Sequence, residues 1–431
     1  MRPSRTTIVA SLLGVAVTAM ALANLAVYPL PIPADLRWPA EAALYRHIGE
    51  IAIPVALFQC LVLVLVYRHL KAGNGTRIVT LAMGIAIVVS SVTAFSRPPQ
   101  SSDVYAYIGY AKLPTFAQAY APPDERFTGT FARVNLAWGT PMVANVYGPL
   151  WLGLDRLVVG TSPTLANALL RTRVLNVVML AMLVGLLVLM RVPAAVTWLV
   201  AINPFIWNYF VFSAHNDIIP VVCMVAAIAV AARWPMIAVA LATAAALCKI
   251  SFFVIALVPF ARMSDVRRRV GCAALTVGLA ALGSWFAGGR PYLDAIGHAG
   301  TRFAPKPTVA HAIVISLHVL LASLAITAVI VVLFRRNDLA GAAWSFMALG
   351  AYYCPWYSLW GLPYALVTRR SLAAFVISLP IVGAVVFSPL SRLFQPEVLA
   401  VVILIGAGVE WWKRNGGVRR PLFITAAAHR A

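Results

Sequence analysis

The chain is written in long blocks of apolar residues separated by short polar punctuation. Thr7–Tyr28, Ile48–Tyr67 and Ile78–Phe95 come first. After a mixed stretch come Val174–Met190, Ala194–Phe212, Ile218–Ala232, Pro235–Leu247, Ile250–Ala261 and Val270–Phe286. Five more complete the series: Ala312–Phe334, Leu339–Tyr353, Leu359–Val367, Leu372–Phe387 and Val398–Trp411. A helix crossing the hydrocarbon core needs about 20 apolar residues. Backbone groups in lipid are satisfied internally by a helix, so these runs predict an all-α polytopic bundle. The count is about 14 helices, or 12 if the short runs Pro235–Leu247 and Ile250–Ala261 are broken or tilted helices packed inside protein. Thr7–Tyr28 also has a signal-peptide alternative, with Ala21-Leu22-Ala23 as its cleavage site; its length favours a span.

The mixed stretch, 96–173, breaks the pattern. It opens on Ser101-Ser102-Asp103-Val104-Tyr105-Ala106-Tyr107 and carries Lys112, Asp124, Glu125, Arg126, Arg133, Asp155 and Arg156. Its apolar segment Leu152–Gly160 is too short and too charged to cross, so it predicts an amphipathic helix lying on the membrane surface. A second polar loop, Ala287–His311, carries Arg290, Asp294, His298, Arg302, Lys306 and His311. The organisation that follows is an N-terminal hairpin (1–77), a central module (78–368) holding the loops 96–173 and 287–311, and C-terminal spans with a basic tail (369–431).

Composition agrees with the pattern. Of 431 residues 62% are apolar and only 11% charged, under half the share of a soluble domain. The net charge of +21 does not point to nucleic acid. Its Lys and Arg sit in clusters between spans: Arg68/Lys71/Arg77, Arg262/Arg267/Arg268/Arg269, Arg335/Arg336, Arg369/Arg370 and Lys413/Arg414/Arg419/Arg420. That is the positive-inside distribution, not a basic face interleaved with aromatics. It puts Asp103 outside the cytoplasm, and His215-Asn216-Asp217 on the same side provided Leu152–Gly160 does not cross. Cys60, Cys223, Cys248, Cys272 and Cys354 form no CxxC pair and read as small buried hydrophobes.

Four polar features then share the outer face. Asp103 reads either as a helix-capping, solvated carboxylate or as a reactive acid. His215-Asn216-Asp217 marks the tip between two spans. Asp217 there reads either as a cap for the next helix or, with His215, as part of a substrate or divalent-metal site. Lys249 stands in an otherwise uncharged apolar stretch, where a lone charge is expensive and usually partnered. It either snorkels to the headgroups or pairs with a lipid-linked phosphate. Cys354-Pro355-Trp356-Tyr357-Ser358-Leu359-Trp360 supplies interfacial aromatics that also suit a sugar face.

In chain order these pieces are Ser-Asp-Val-Tyr-Ala-Tyr at 102–107, Tyr147-Gly148-Pro149-Leu150-Trp151, Asn203-Pro204 with His215-Asn216-Asp217, Lys249, and Pro355-Trp356-Tyr357-Ser358-Leu359-Trp360. Their order resembles the bacterial C-fold (GT-C) glycosyltransferases, closest to the polyprenyl-phosphate-mannose-dependent mannosyltransferases. The resemblance covers 78–368; the two leading runs and the lack of a soluble sugar-binding domain depart from many relatives. It implies transfer of a hexose, mannose first, from a polyprenyl-phosphate sugar to a cell-envelope glycan or lipid acceptor. The reaction would run at the extracytoplasmic face of the bacterial cytoplasmic membrane. Asp103 takes the place of the family's base, and Asp217 that of its second acid. The chemistry then gives Lys249, Arg302 and Lys306 to the donor phosphate, and Tyr105, Tyr147, His215, Asn216, Asp217, Trp356 and Tyr357 to the sugar or acceptor. No cofactor is implied with certainty; a divalent metal would fall to Asp217 and His215. One carboxylate and one displacement predict inversion. The competing class is a transporter or flippase of a lipid-linked sugar; it usually shows internal repeats, and none is visible here.

Overall fold

The computed structural model describes residues 4–27, 38–74, 77–97, 99, 101–136, 142–252, 265–298 and 360. The elements in chain order are α1 (Arg5–Val27), α2 (Trp38–Lys71), α3 (Arg77–Ser96), α4 (Asp103–Lys112), α5 (Phe116–Tyr120), a 3₁₀ stretch (Gly129–Leu136), α6 (Pro149–Val159) and α7 (Leu165–Leu189). Then follow α8 (Ala194–Ile202), α9 (Pro204–Ile206) running into a π-helical turn (Trp207–Phe212), α10 (Ile218–Val230), α11 (Pro235–Cys248), a 3₁₀ turn (Ile250–Phe252), α12 (Val266–Phe286) and α13 (Arg290–His298). No strand occurs among the described residues.

Five of these helices are long and apolar enough to cross a membrane: α1, α2 from Pro54, α3, α7 and α12. A sixth span exists if α8 and Pro204–Phe212, bent by 42°, are counted together. The helices α10 and α11 are shorter apolar pieces of 13 and 14 residues. The predicted total of about 14 is therefore not reached among the described residues, and the five runs from Ala312 onward lie outside them but for Trp360.

The spanning helices are apolar on every side because they have two apolar neighbours, protein and lipid. In α1, Ala10, Leu13, Val17, Met20 and Ala21 are buried, and the same core holds Val79, Ala82, Met83 and Ala86 of α3. Leu12, Val15, Leu81 and Val88 face outward, where a bilayer would solvate them. Gly14 permits close approach: a Cβ there would lie 3.3 Å from Ile78 Cγ2, the small-residue contact that membrane helices use.

The stretch predicted as one span, Ala194–Phe212, is broken at Asn203-Pro204. Pro204 lacks the N–H that a continuous helix would use. The Asn203 side chain instead accepts from the Phe205 N–H at 2.9 Å and restarts the helix. The segment then widens into the π turn, in which Ser213 N–H reaches back to the Asn208 carbonyl at 2.9 Å. The short helix expected at Leu152–Gly160 is α6; its 11 residues reach ~16 Å, about half a hydrocarbon core. It begins at Pro149, pre-set for the first helical turn.

The main core joins α4, α6, α7, the π turn, α10 and α11 around Tyr107, Trp151, Phe210 and Phe252. That is the ground on which the polar residues meet.

Candidate functional site

Asp103 is the first residue of α4. The cap position is Ser102, whose side chain makes no capping bond, so Asp103 is not the cap residue of this helix. Its backbone N–H is held by Ser101 Oγ at 3.2 Å. One carboxylate oxygen, Oδ2, lies 3.5 Å from His215 Nδ1. The capping alternative for Asp217 fails as well: it stands at the head of α10 but makes no side-chain cap bond. Its Oδ1 accepts from Lys249 Nζ at 2.6 Å and from Trp360 Nε1 at 2.7 Å. Its Oδ2 is buried with no hydrogen-bond partner among the described residues.

Lys249 is thus neither snorkelling nor waiting alone. It sits just past the end of α11, buried, between the rings of Tyr147 and Trp360 at 5.5 and 4.7 Å from their centroids. Removing one member of a buried ion pair leaves the other uncompensated and costs about 3–5 kcal/mol. Trp360 closes the far side and packs on Phe252, ring centroids 5.2 Å apart.

Tyr147 reaches this cluster through a backbone device. Gly148 N–H donates to the Cys248 carbonyl at 2.8 Å. A Cβ on Gly148 would land on the Leu247 carbonyl, so only glycine lets the extended Tyr147 segment lie against the end of α11. Asn145 and Tyr120 fix the segment from the other side. Tyr147 N–H donates to Asn145 Oδ1 at 3.0 Å, and Tyr120 O–H donates to the Tyr147 carbonyl at 2.9 Å.

Of Tyr105 and Tyr107 on α4 the sequence favours Tyr105; the contacts to Tyr147 and Asn216 belong to Tyr107. Tyr107 O–H reaches Tyr147 Oη at 3.3 Å and Asn216 Oδ1 at 3.5 Å, and its ring meets Tyr147 and Trp151 edge-on. Positions 103 and 107 are one helical turn apart and share a face. That i, i+4 spacing is the signal the sequence offers. Tyr105 points elsewhere on α4 and packs half-buried against the main core.

Two residues that the sequence does not single out complete the surroundings. Arg173 donates through Nε and Nη2 to the Phe212 carbonyl, at 3.1 and 2.8 Å. Asn176 donates through Nδ2 to the carbonyls of Phe210 and His215, at 2.5 and 3.0 Å. Both lie on α7, whose first half also carries Asn167 and Arg171, so the sequence offers no signal that singles them out.

Burial sets the acid–base character. His215, Asn216 and Asp217 are buried, whereas the Asp103 side chain keeps 22% of its area exposed. The Asp103 carboxyl is raised to about 6, first by desolvation; the Lys249 ammonium opposes and the Asp217 carboxylate adds to the rise. His215 is lowered to about 3 because its buried ring is poorly solvated as a cation, even with Asp217 near. It is therefore a neutral imidazole at ordinary pH. Burial also raises the Tyr107 and Tyr147 phenols well above their usual value.

Among the described residues no group of three or more His, Cys, Asp or Glu side chains is assembled for a metal ion. Arg302, Lys306, Trp356 and Tyr357 lie outside the described residues. Cys60, Cys223, Cys248 and Cys272 form no disulfide among the described residues.

Apolar helices of spanning length, with a buried cluster of acid, imidazole and ammonium and one partly exposed acid, are the frame of a multi-pass membrane protein. The comparison with known families makes the class specific. Residues 7–264 match the family described as alpha-(1->6)-mannopyranosyltransferase, N-terminal domain, and the chain belongs to that family. It is a mannose-transferring glycosyltransferase. Neither a curated protein nor a solved structure matches the chain.

Proposed function

We propose that the protein transfers mannose from a polyprenyl-phosphate donor to a glycan or lipid acceptor of the cell envelope, at the extracytoplasmic face of the cytoplasmic membrane, with Asp103 as general base. The observation that carries the proposal is the contrast within the site. Asp103 alone among the clustered acids is both open to an incoming hydroxyl and raised toward neutrality, the condition for efficient proton abstraction.

A glycosyl phosphate is already activated, so the protein has two tasks. The acceptor hydroxyl gives its proton to the Asp103 carboxylate as its oxygen bonds to the anomeric carbon. The bond from that carbon to the phosphate oxygen breaks, and its electron pair leaves with the polyprenyl phosphate. Lys249 stabilises the growing phosphate charge in a poorly solvated setting, where such interactions are strong. Its pairing with Asp217 keeps the ammonium placed before donor arrives, and Arg302 and Lys306 share this role. His215, Asn216, Asp217, Tyr147, Tyr107, Trp356 and Tyr357 bind and orient the sugar and acceptor.

A single displacement inverts the anomeric carbon. If the product carries the α-(1→6) linkage that the family description names, the donor must be the β-linked phosphate. The test is a transfer assay with purified protein, labelled α- and β-linked polyprenyl-phosphate mannose, and envelope-glycan acceptors. Wild-type protein should use the β donor only, and Asp103→Asn should lose transfer by ~10²–10⁴-fold, the range of general-base catalysis, while staying folded. Retained turnover in that variant removes Asp103 from the mechanism. Movement of intact donor across vesicles without transfer would instead favour a lipid-linked-sugar transporter.

A further inference from the structure

The π turn creates a problem that α7 solves. A helix end leaves its last carbonyls without partners, and here that end is buried. The chain leaves the π turn at Ser213, turns through Ala214 at φ 54°, and enters α10 four residues later. Left-handed backbone is unfavourable for alanine and persists only where the surroundings impose it. The imposing groups are two side chains of α7: Arg173 grips the Phe212 carbonyl and Asn176 bridges the Phe210 and His215 carbonyls. All four side chains concerned, Arg173, Asn176, His215 and Asp217, are buried.

We propose that Arg173 and Asn176 are positioning residues for the transfer reaction: by holding the 210–215 backbone they set the His215 imidazole against Asp103 and fix Asp217 opposite Lys249. The inference rests on the transfer mechanism proposed above. Both residues bond to main-chain carbonyls. The clamp acts through Asn176 on the main chain of His215, whose ring stands 3.5 Å from Asp103. Loosening it lets water in beside the Asp103 carboxylate. The groups that face Asp103, namely Ser101, Tyr107, Tyr147, His215, Asp217 and Lys249, are otherwise untouched.

The test uses full-length protein in detergent or nanodiscs with Asn176→Leu, Arg173→Met and Arg173→Lys. Misplacement by about an ångström can cost ~10²-fold, so Asn176→Leu and Arg173→Met should lower kcat by ~10–10²-fold with little change in donor KM. The acid limb of their pH profile should move below that of the wild type. Arg173→Lys, which keeps one donor for the Phe212 carbonyl, should recover much of the loss and the position of the limb. A second readout needs no turnover. His215 should resist modification by diethyl pyrocarbonate in the wild type and react in the two clamp-breaking variants, read by peptide mass spectrometry. If transfer itself is absent from the wild type, the mechanism falls while the modification pattern still decides the clamp. Wild-type kcat and an unshifted limb in Asn176→Leu overturn the proposal, as does a His215 that stays protected in both variants. Should Asn176→Leu not fold, the contrast between Arg173→Lys and Arg173→Met decides the same question.

Discussion

At the scale of the residue, burial rather than identity assigns roles. Three acids of the first 217 residues show this: Asp103, Asp155 and Asp217. Asp217 is consumed by Lys249 and Trp360, whereas Asp103 is open. With a carboxyl raised to about 6, the ionised base is lost as pH falls through about 6. Transfer should then drop about tenfold per pH unit below that point, as an initial-rate profile from pH 4.5 to 8 would show. Asp155 is the surprise. The sequence presents it as a polar mark on a surface helix, yet it is buried with neither carboxylate oxygen partnered among the described residues. Burial raises it to about 8, while an unfolded Asp titrates near ~3.9. The unfolded chain releases its proton first, so this group's contribution to stability falls as pH rises from about 4 to about 8. Asp155→Asn should therefore melt higher than wild type at pH 8–9 and nearly equal to it at pH 4.5. Equal melting across that range would show that the carboxyl is solvated.

At the scale of the element, the Tyr-Gly-Pro-Leu-Trp segment does three jobs in five residues. Tyr147 lies over Lys249, Gly148 permits backbone contact with the end of α11, and Pro149 opens α6, which delivers Trp151 to the Tyr107 ring. Gly148→Ala should cost about 1–3 kcal/mol or more, the range for overpacking, because its new Cβ meets backbone rather than a movable side chain. Gly185→Ala on α7, with nothing within 4 Å of its Cβ, is the control and should be neutral or slightly stabilising in a helix. Melting of both purified variants checks the contrast. Helix boundaries were legible at both ends of α3 and at the end of α12; α12 begins a turn before the expected Val270, because Arg267, Arg268 and Arg269 are still helical. The break at Asn203-Pro204 was present in the sequence as an X-Pro step, but the flanking apolar residues concealed it. The π turn had no sequence signal at all.

At the scale of the whole molecule, Asp103 after α3, the start of α7, the end of the π turn, the head of α10 and the end of α11 converge at one end of the bundle. The basic last turn of α2, with Arg68 and Lys71, and Arg77 at the head of α3 mark the opposite end of α3. By the positive-inside rule we propose that the site lies outside the cytoplasm. In a cysteine-free background, Ser102→Cys should react with a membrane-impermeant maleimide on intact cells, and Asn74→Cys only after permeabilisation. The reverse pattern would turn the protein over and end the extracytoplasmic reading.

The sequence by itself determined the material: helices that suit lipid, the interfacial polar stretch, and the ionisable residues worth attention. These follow from hydropathy and charge, which are local and additive along a chain. Only the tertiary structure decided which of those residues meet. It pairs Lys249 with Asp217 across 32 positions and Trp360 with Asp217 across 143. It also brings Tyr107 rather than Tyr105 to the cluster and enlists Arg173 and Asn176 from α7. Such partnerships depend on helix rotation and on where a buried carbonyl lacks a donor, and no window of neighbouring residues encodes either.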